Sequence, residues 1–118
     1  MSLKKNPTST DLAKKRWYHI QNRSRRMKLP YCTLEDFSRF WLTEHICEYC
    51  GILEEIWLLK NKKKLEIDRK IVKSGYVLGN IVWACRNCNI IKSDILTYEE
   101  MKEIGKKYLE PKWKSRDA

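Results

Sequence analysis

Hydrophobic and polar positions divide the chain into helical and extended stretches. Between Ser9 or Thr10, either of which can cap a helix, and about Lys28, the residues Leu12, Trp17, Ile20 and Met27 lean to one side and basic residues occupy the rest. Residues 1–9 read as a loose end, and Pro30 ends the helix. "TLED" at Thr33–Asp36 reads as a capping box, followed by a helix with Leu34, Phe37, Phe40 and Trp41 at core spacing. After Gly51, the residues Leu53, Ile56, Trp57 and Leu59 or Lys60 fit a short helix, with a strand as the alternative. "KLEIDRK" sets Leu65, Ile67 and Arg69 alternately against Glu66 and Asp68, which predicts a strand. "KSGYVLG" is a turn, "NIVWAC" a second strand and "RNCNIIKSD" a helix. "TYEE" at Thr97–Glu100 is another capping box, opening a final helix to about Tyr108 that Pro111 stops before a basic tail. These elements make a small α+β protein without repeats.

Composition adds a polarity to this picture. The 118 residues fit one domain, and a chain this short often needs a staple beyond its apolar core. Net charge is +10, and it is uneven. Residues 1–28 hold nine Lys or Arg against Asp11 alone, a net of +8, which leaves +2 for the other ninety. A basic block at one end points to a polyanion, with a solvated arm as the bland alternative. No apolar run approaches the ~20 residues that span a bilayer, so no membrane is expected. The opening "MSLKKNPTST" has no apolar core and no cleavage site, which argues against a secretory signal. A cytoplasmic location is expected, bacterial or in a phage-infected host, where thiols stay reduced and paired cysteines are better read as metal ligands than as disulfides.

Four of the five cysteines have ligand spacing. Cys47, Cys50, Cys85 and Cys88 form CxxC-x34-CxxC. Four thiolates complete the tetrahedral shell of structural Zn2+ and leave no open position for water. Cys32 has no partner at ligand spacing and reads as a packed thiol. Within the staple, Asp68 ends the first strand and Asn89 sits early on the following helix. Two such oxygen donors, with water completing the shell, describe a hard-cation site for Mg2+ or Mn2+. A surface Asp and a helix-capping Asn would account for the same letters.

Taken together, "CEYCG", "LEIDRK", "SGYVLGNIVWACRNCNIIKSD" and "TYEEM" resemble the HNH endonucleases of the His-Me finger (ββα-metal) superfamily. The resemblance runs from Cys47 to Met101 and is strongest to the phage-type branch with paired CxxC knuckles. It implies a zinc-stapled ββα-metal core, with a helical N-terminal extension and a C-terminal helix. It also implies hydrolysis of phosphodiester bonds in DNA, by nicking or double-strand cleavage, through a single divalent cation. By position, Asp68 and Asn89 match the metal ligands, Asn80 the Asn that ties the loop to the strand, and Lys92 a basic residue near a phosphate. Arg69 stands where the water-activating His is usual. Arg cannot act as a general base, though it can clamp the scissile phosphate. The catalytic set is therefore Asp68, Arg69, Asn80 and Asn89, with the base open among His45, His19, Tyr76, Glu66 and bulk water. His45, just before the first knuckle, is the candidate named for its suitable range of titration.

The division that follows is a basic helical DNA-binding extension over residues 1–44, the nuclease core with its four-cysteine zinc site over 45–110, and a basic tail over 111–118. Lys14, Lys15, Arg16, Arg23, Arg25, Arg26 and Lys92 are the expected DNA contacts. A double-strand cut by one active site calls for a homodimer or two successive nicks. A zinc-stapled DNA- or RNA-binding module without catalysis is the alternative function, and a protein–protein adaptor a more distant one.

Overall fold

The computed structural model describes residues 9–116, with Ser9 and Arg116 known by backbone alone. The expected loose end lies almost wholly outside this range. In chain order the elements are α1 (Ser9–Met27), α2 (Leu34–Trp41), α3 (Glu54–Asn61), β1 (Glu66–Arg69), a 3-10 turn (Val72–Ser74), β2 (Ile81–Ala84), α4 (Arg86–Lys92), α5 (Tyr98–Ile104), a π-helical turn (Gly105–Leu109) and α6 (Glu110–Arg116). β1 and β2 pair antiparallel, Glu66 opposite Ala84 and Arg69 opposite Ile81. No helix among the described residues is long and apolar enough to cross a membrane.

The stretch after Gly51 is a helix, α3, not a strand. On α1 the buried positions are Ala13, Ile20 and Ser24, with Leu12 and Trp17 partly covered. Met27, expected on the apolar side, is 42% exposed. The helix ends beside it, where Lys28 takes a left-handed φ of 57°. Thr33 caps α2 by accepting from the Asp36 N–H at 3.1 Å, but only half of the expected capping box forms. Asp36 is one methylene shorter than the usual Glu and its carboxylate faces Arg39 at 3.8 Å. At Thr97 both halves are present.

Pro111 does not stop the last helix. The turn ahead of it is π-helical, and the Glu110 N–H donates five residues back to Gly105. Pro111 enters in the first turn of a fresh helical segment, where its missing N–H is no loss. The expected tail is thus helical as far as Arg116. This run clasps the first cysteine knuckle: Trp113 Nε1 donates to the Cys50 carbonyl at 2.8 Å. At Gly105 a Cβ would stand 2.3 Å from the Tyr49 carbonyl oxygen, so only glycine fits.

A second set of contacts lays α1 against β1. Arg16 donates to the Leu65 carbonyl at 3.0 Å, one residue before the strand, and Trp17 Nε1 to the Cys32 carbonyl at 2.8 Å. The 30–32 segment is pinned to the inter-strand loop by Cys32 N–H to Tyr76 O (2.8 Å) and Tyr76 N–H to Pro30 O (3.1 Å). Gly75 permits this approach, because its φ is +78° and a Cβ would lie 2.2 Å from the Pro30 oxygen. The core around these joints is aromatic and includes Phe37, Trp41, Trp57 and Trp83.

Candidate active site and metal centre

The two CxxC turns meet. The first is a knuckle closed by Cys47 N–H to Ile52 O (2.9 Å) and Gly51 N–H to Cys47 O (3.0 Å). In the second, Cys85 caps α4 and Cys88 sits in its first turn. All four side chains are buried, and their sulfurs lie within 4.8 Å of one another. Cys50 Sγ and Cys85 Sγ are 3.8 Å apart, about the edge of a tetrahedron with Zn–S bonds of about 2.3 Å. Hydrogen bonding to its neighbours, Cys50 first, pulls the Cys47 thiol well below its ordinary range. Hydrogen bonding to Cys47 pushes Cys50 and Cys88 well above theirs. The thiols thus compete for protons, and a cation at their centre removes the competition. The cluster can hold zinc, while burial pushes the isolated Cys32 thiol up.

A cavity of about 440 Å³ opens where β1, α4 and α1 converge. β1 supplies Glu66 and Asp68 from one strand face, and α4 supplies Asn89. α1 supplies Arg16, His19, Ile20 and Arg23, spaced i, i+3, i+4, i+7 along one stripe. Arg69, Arg86 and Asp94 also line the cavity. Acidic and amide oxygens therefore lie among four arginines.

Each expected ligand has one atom tethered and one left over. Asp68, 9% exposed, takes the Tyr49 hydroxyl on Oδ2 at 2.6 Å. Burial first, and then that bond, push the Tyr49 pKa upward, which keeps the hydroxyl a donor. Lys92 Nζ approaches the same oxygen at 3.4 Å and donates to the Arg69 carbonyl at 3.0 Å. Among the described residues no donor reaches Oδ1. Asn89 donates from Nδ2 to Glu66 Oε1 at 2.8 Å, leaving its own Oδ1 for another partner. Glu66 is steadied further by Arg86 at 3.1 Å. This donor set of hard oxygens, anchored from behind, fits a hard divalent cation.

Several expected roles shift. Lys92 is 1% exposed and cannot touch DNA; its charge is spent on Asp68 inside the protein. His45 lies outside the cavity: its Nδ1 faces Glu54 Oε1 at 3.0 Å, its Nε2 the Trp41 carbonyl at 2.7 Å, and its ring stacks on Trp83 at 3.9 Å. Both nitrogens are engaged by protein partners outside the cavity, so neither faces water at the site. Asn80 is also absent from the cavity lining. It donates to the Ile71 and Gly75 carbonyls at 2.9 and 2.7 Å and accepts from the Ile71 N–H at 3.0 Å, which closes the loop behind Arg69. Arg69 lines the cavity with its guanidinium 4.8 Å above the Tyr76 ring and one N–H on the Val72 carbonyl at 3.2 Å.

The basic residues of α1 divide. Arg16 and Arg23 line the cavity; burial lowers the Arg16 pKa, against the pull of Glu54 and Glu66. Lys15 and Lys64 line an adjoining groove with Arg16 and His19. At about 100° per residue, Arg26 falls on the same flank as Lys15, and Lys14 and Arg25 fall about 160–180° from Arg16. Arg86 has no role expected from the sequence, and Glu66 and His19 are expected only as alternatives for the base. Their signals were present: Glu66 stands two residues before Asp68 on a strand, and His19 stands three after Arg16 and four before Arg23 on a helix.

The ββα unit with its cysteine staple is an HNH-type fold. Among solved structures the chain is similar to that of PacI, described as a rare-cutting HNH restriction endonuclease that perturbs DNA. The TM-score is 0.80 at 24% identity, over 89% of this chain and 81% of that one. No protein-family model and no curated protein matches the sequence.

Proposed function

We propose that the chain is a divalent-cation-dependent DNA endonuclease of the HNH type. The observation that carries this reading is the cavity itself, where Oδ1 of Asp68 and Oδ1 of Asn89 are left over while their companion atoms are tethered. Mg2+ or Mn2+ held there would polarise the scissile phosphate and neutralise the leaving 3′ oxygen. The chain's own residues do the rest. Arg69, braced on Tyr76 and Val72, clamps the phosphate from the strand side. Arg16, Arg23 and Arg86 receive the flanking backbone, Lys15 and Arg26 extend that track along α1, and Lys64 joins it from the turn before β1. Tyr49 and Lys92 hold Asp68 at its angle. Zinc in the cysteine cluster ties the first knuckle to the start of α4, and so fixes Asn89 beside β1. Residues 1–44 serve as the DNA-binding extension.

Supercoiled plasmid incubated with the protein across a panel of divalent ions tests the reading. Nicking with Mg2+ or Mn2+ is expected, and Asn89→Ala should abolish it while DNA binding persists. Arg69 in the usual position of the base favours a second reading, a zinc-stapled DNA-binding module without catalysis. Salt-sensitive binding with no cleavage in any ion would select it.

A further inference from the structure

We infer that His19, carried by α1 and not by the strand, accepts the proton of the attacking water; the inference rests on the endonuclease reading above. Hydrolysis needs a proton acceptor, and the residue after Asp68 cannot be one, since a guanidinium holds its proton at any working pH. His45 is turned into the Trp41–Trp83 cluster with both nitrogens engaged. Tyr76 is buried beneath the Arg69 guanidinium. The chain has two histidines, and His19 is the one that lines the cavity shared by Asp68 and Asn89. Its ring is exposed, and neither nitrogen has a partner among the described residues.

The placement is enforced by the fold. Arg16, one turn earlier on the same stripe, is bolted to the Leu65 carbonyl at 3.0 Å. Trp17 is bonded to Cys32 on the adjacent face. These two bonds fix the rotation of α1 about its axis and hold residue 19 towards β1. Charged groups on the surrounding elements are Arg16 and Arg23 of α1, Glu66, Asp68 and Arg69 of β1, Arg86 of α4, Asp94 beyond it, and Lys15 and Lys64 in the adjoining groove. In the step assigned, the water oxygen bonds to phosphorus as the P–O3′ bond breaks. The water's proton passes to an imidazole nitrogen, and the 3′ oxygen is protonated from solvent. A 5′-phosphate and a 3′-hydroxyl result.

The test uses the full chain, wild type beside His19→Ala, His45→Ala and Asn89→Ala. Single-turnover nicking is followed against pH with and without added imidazole, and duplex binding is measured in EDTA. His19→Ala should slow nicking by roughly 10²–10⁴-fold. It should also lose the acid limb of the pH profile, recover in part with imidazole, and bind duplex within about threefold of wild type. In metal-free protein, the imidazole NMR signal of His19, assigned from the variant, should move on adding a short duplex. A His19→Ala variant that nicks at the wild-type rate, or loses rate only in proportion to binding, overturns the assignment. So does a His19 signal indifferent to DNA. If Asn89→Ala destroys nicking and His19→Ala does not, the base alone is wrong; if wild type nicks in no ion, the endonuclease reading itself falls.

Discussion

Cys88 and Asn89 are neighbours in sequence, yet α4 turns them about 100° apart into two donor clusters of opposite kind. Cys88 joins a sulfur cluster that is buried on every side, with all four donors turned towards one another. Asn89 lines an open cavity of about 440 Å³, where it and Asp68 each keep one atom on the protein and leave one oxygen over. A closed shell of soft donors can only hold structure. An open set of hard donors, anchored from behind, can meet a substrate. The cysteine cluster gathers both ends of the segment that carries Asp68 and lies beside the helix that carries Asn89.

The sharpest way to break that comparison is to empty the sulfur site. Chelation with phenanthroline, or replacing Cys88 with Ser, should unfold the domain, visible as loss of near-UV circular dichroism and of a cooperative thermal transition. A folded, metal-free protein would show that the cluster is not a staple. The oxygen site should behave differently: Asn89→Ala is expected to leave the melting temperature nearly unchanged while nicking disappears.

Asp68 blurs the boundary between the two sites, and the blur is informative. It pairs with a lysine that is 1% exposed. Asp68→Ala would strand that charge in the interior, at a cost of about 3–5 kcal/mol. Lost cleavage in that variant would therefore say little about catalysis. Asp68→Asn combined with Lys92→Met removes both charges, and should recover most of the stability seen in urea unfolding while remaining inactive. Recovery of cleavage in the double variant would show that the carboxylate charge at position 68 is not required, since an amide oxygen can still ligate.

Legibility followed the same divide. The cysteine staple could be read from spacing because CxxC is local and each pair sits on one turn. The two strands and α4 could be read from period-2 alternation and from a helix that starts at its own cap. The rear side of the oxygen site could not. Tyr49 and Lys92 reach Asp68 across 19 and 24 residues of chain, and no short-range pattern encodes such a meeting. Lys92 lies on a helix with an otherwise exposed end, where a lysine ordinarily faces solvent. Histidine misled in a related way: His45 is near the knuckle in sequence but is absorbed by stacking on Trp83, whereas His19 is far in sequence and close in space. Pro111 misled because a π-turn is not announced by composition.

That π-turn offers a smaller effect on the sulfur side. It presses Gly105 flush against the first knuckle, where a methyl group would lie 2.3 Å from the Tyr49 carbonyl. Backbone cannot yield as a flexible side chain can. Gly105→Ala should therefore cost about 1–3 kcal/mol in urea unfolding, the range for an overpacked core position. Near-neutral stability would mean that α5 and α6 are not part of the clasp.

The smallest expected effect tests which face of α1 belongs to the cavity. Arg23 lines it and Lys15 lines the next groove, whereas Lys14 and Arg25 fall on the far side of the helix. All four carry the same charge, so long-range attraction to a polyanion changes equally when any one is removed. Only a residue that contacts a phosphate also releases a bound counterion, and that release sets the slope of log K against log salt. Arg23→Ala and Lys15→Ala should each flatten the slope by about one. Lys14→Ala and Arg25→Ala should leave it unchanged while lowering affinity slightly at low salt, where screening is weakest. Fluorescence anisotropy of a labelled duplex at several salt concentrations in EDTA separates the two patterns. Equal slopes for all four variants would mean that DNA lies across α1 instead of along its cavity flank, and His19 would then lose its place beside the phosphate.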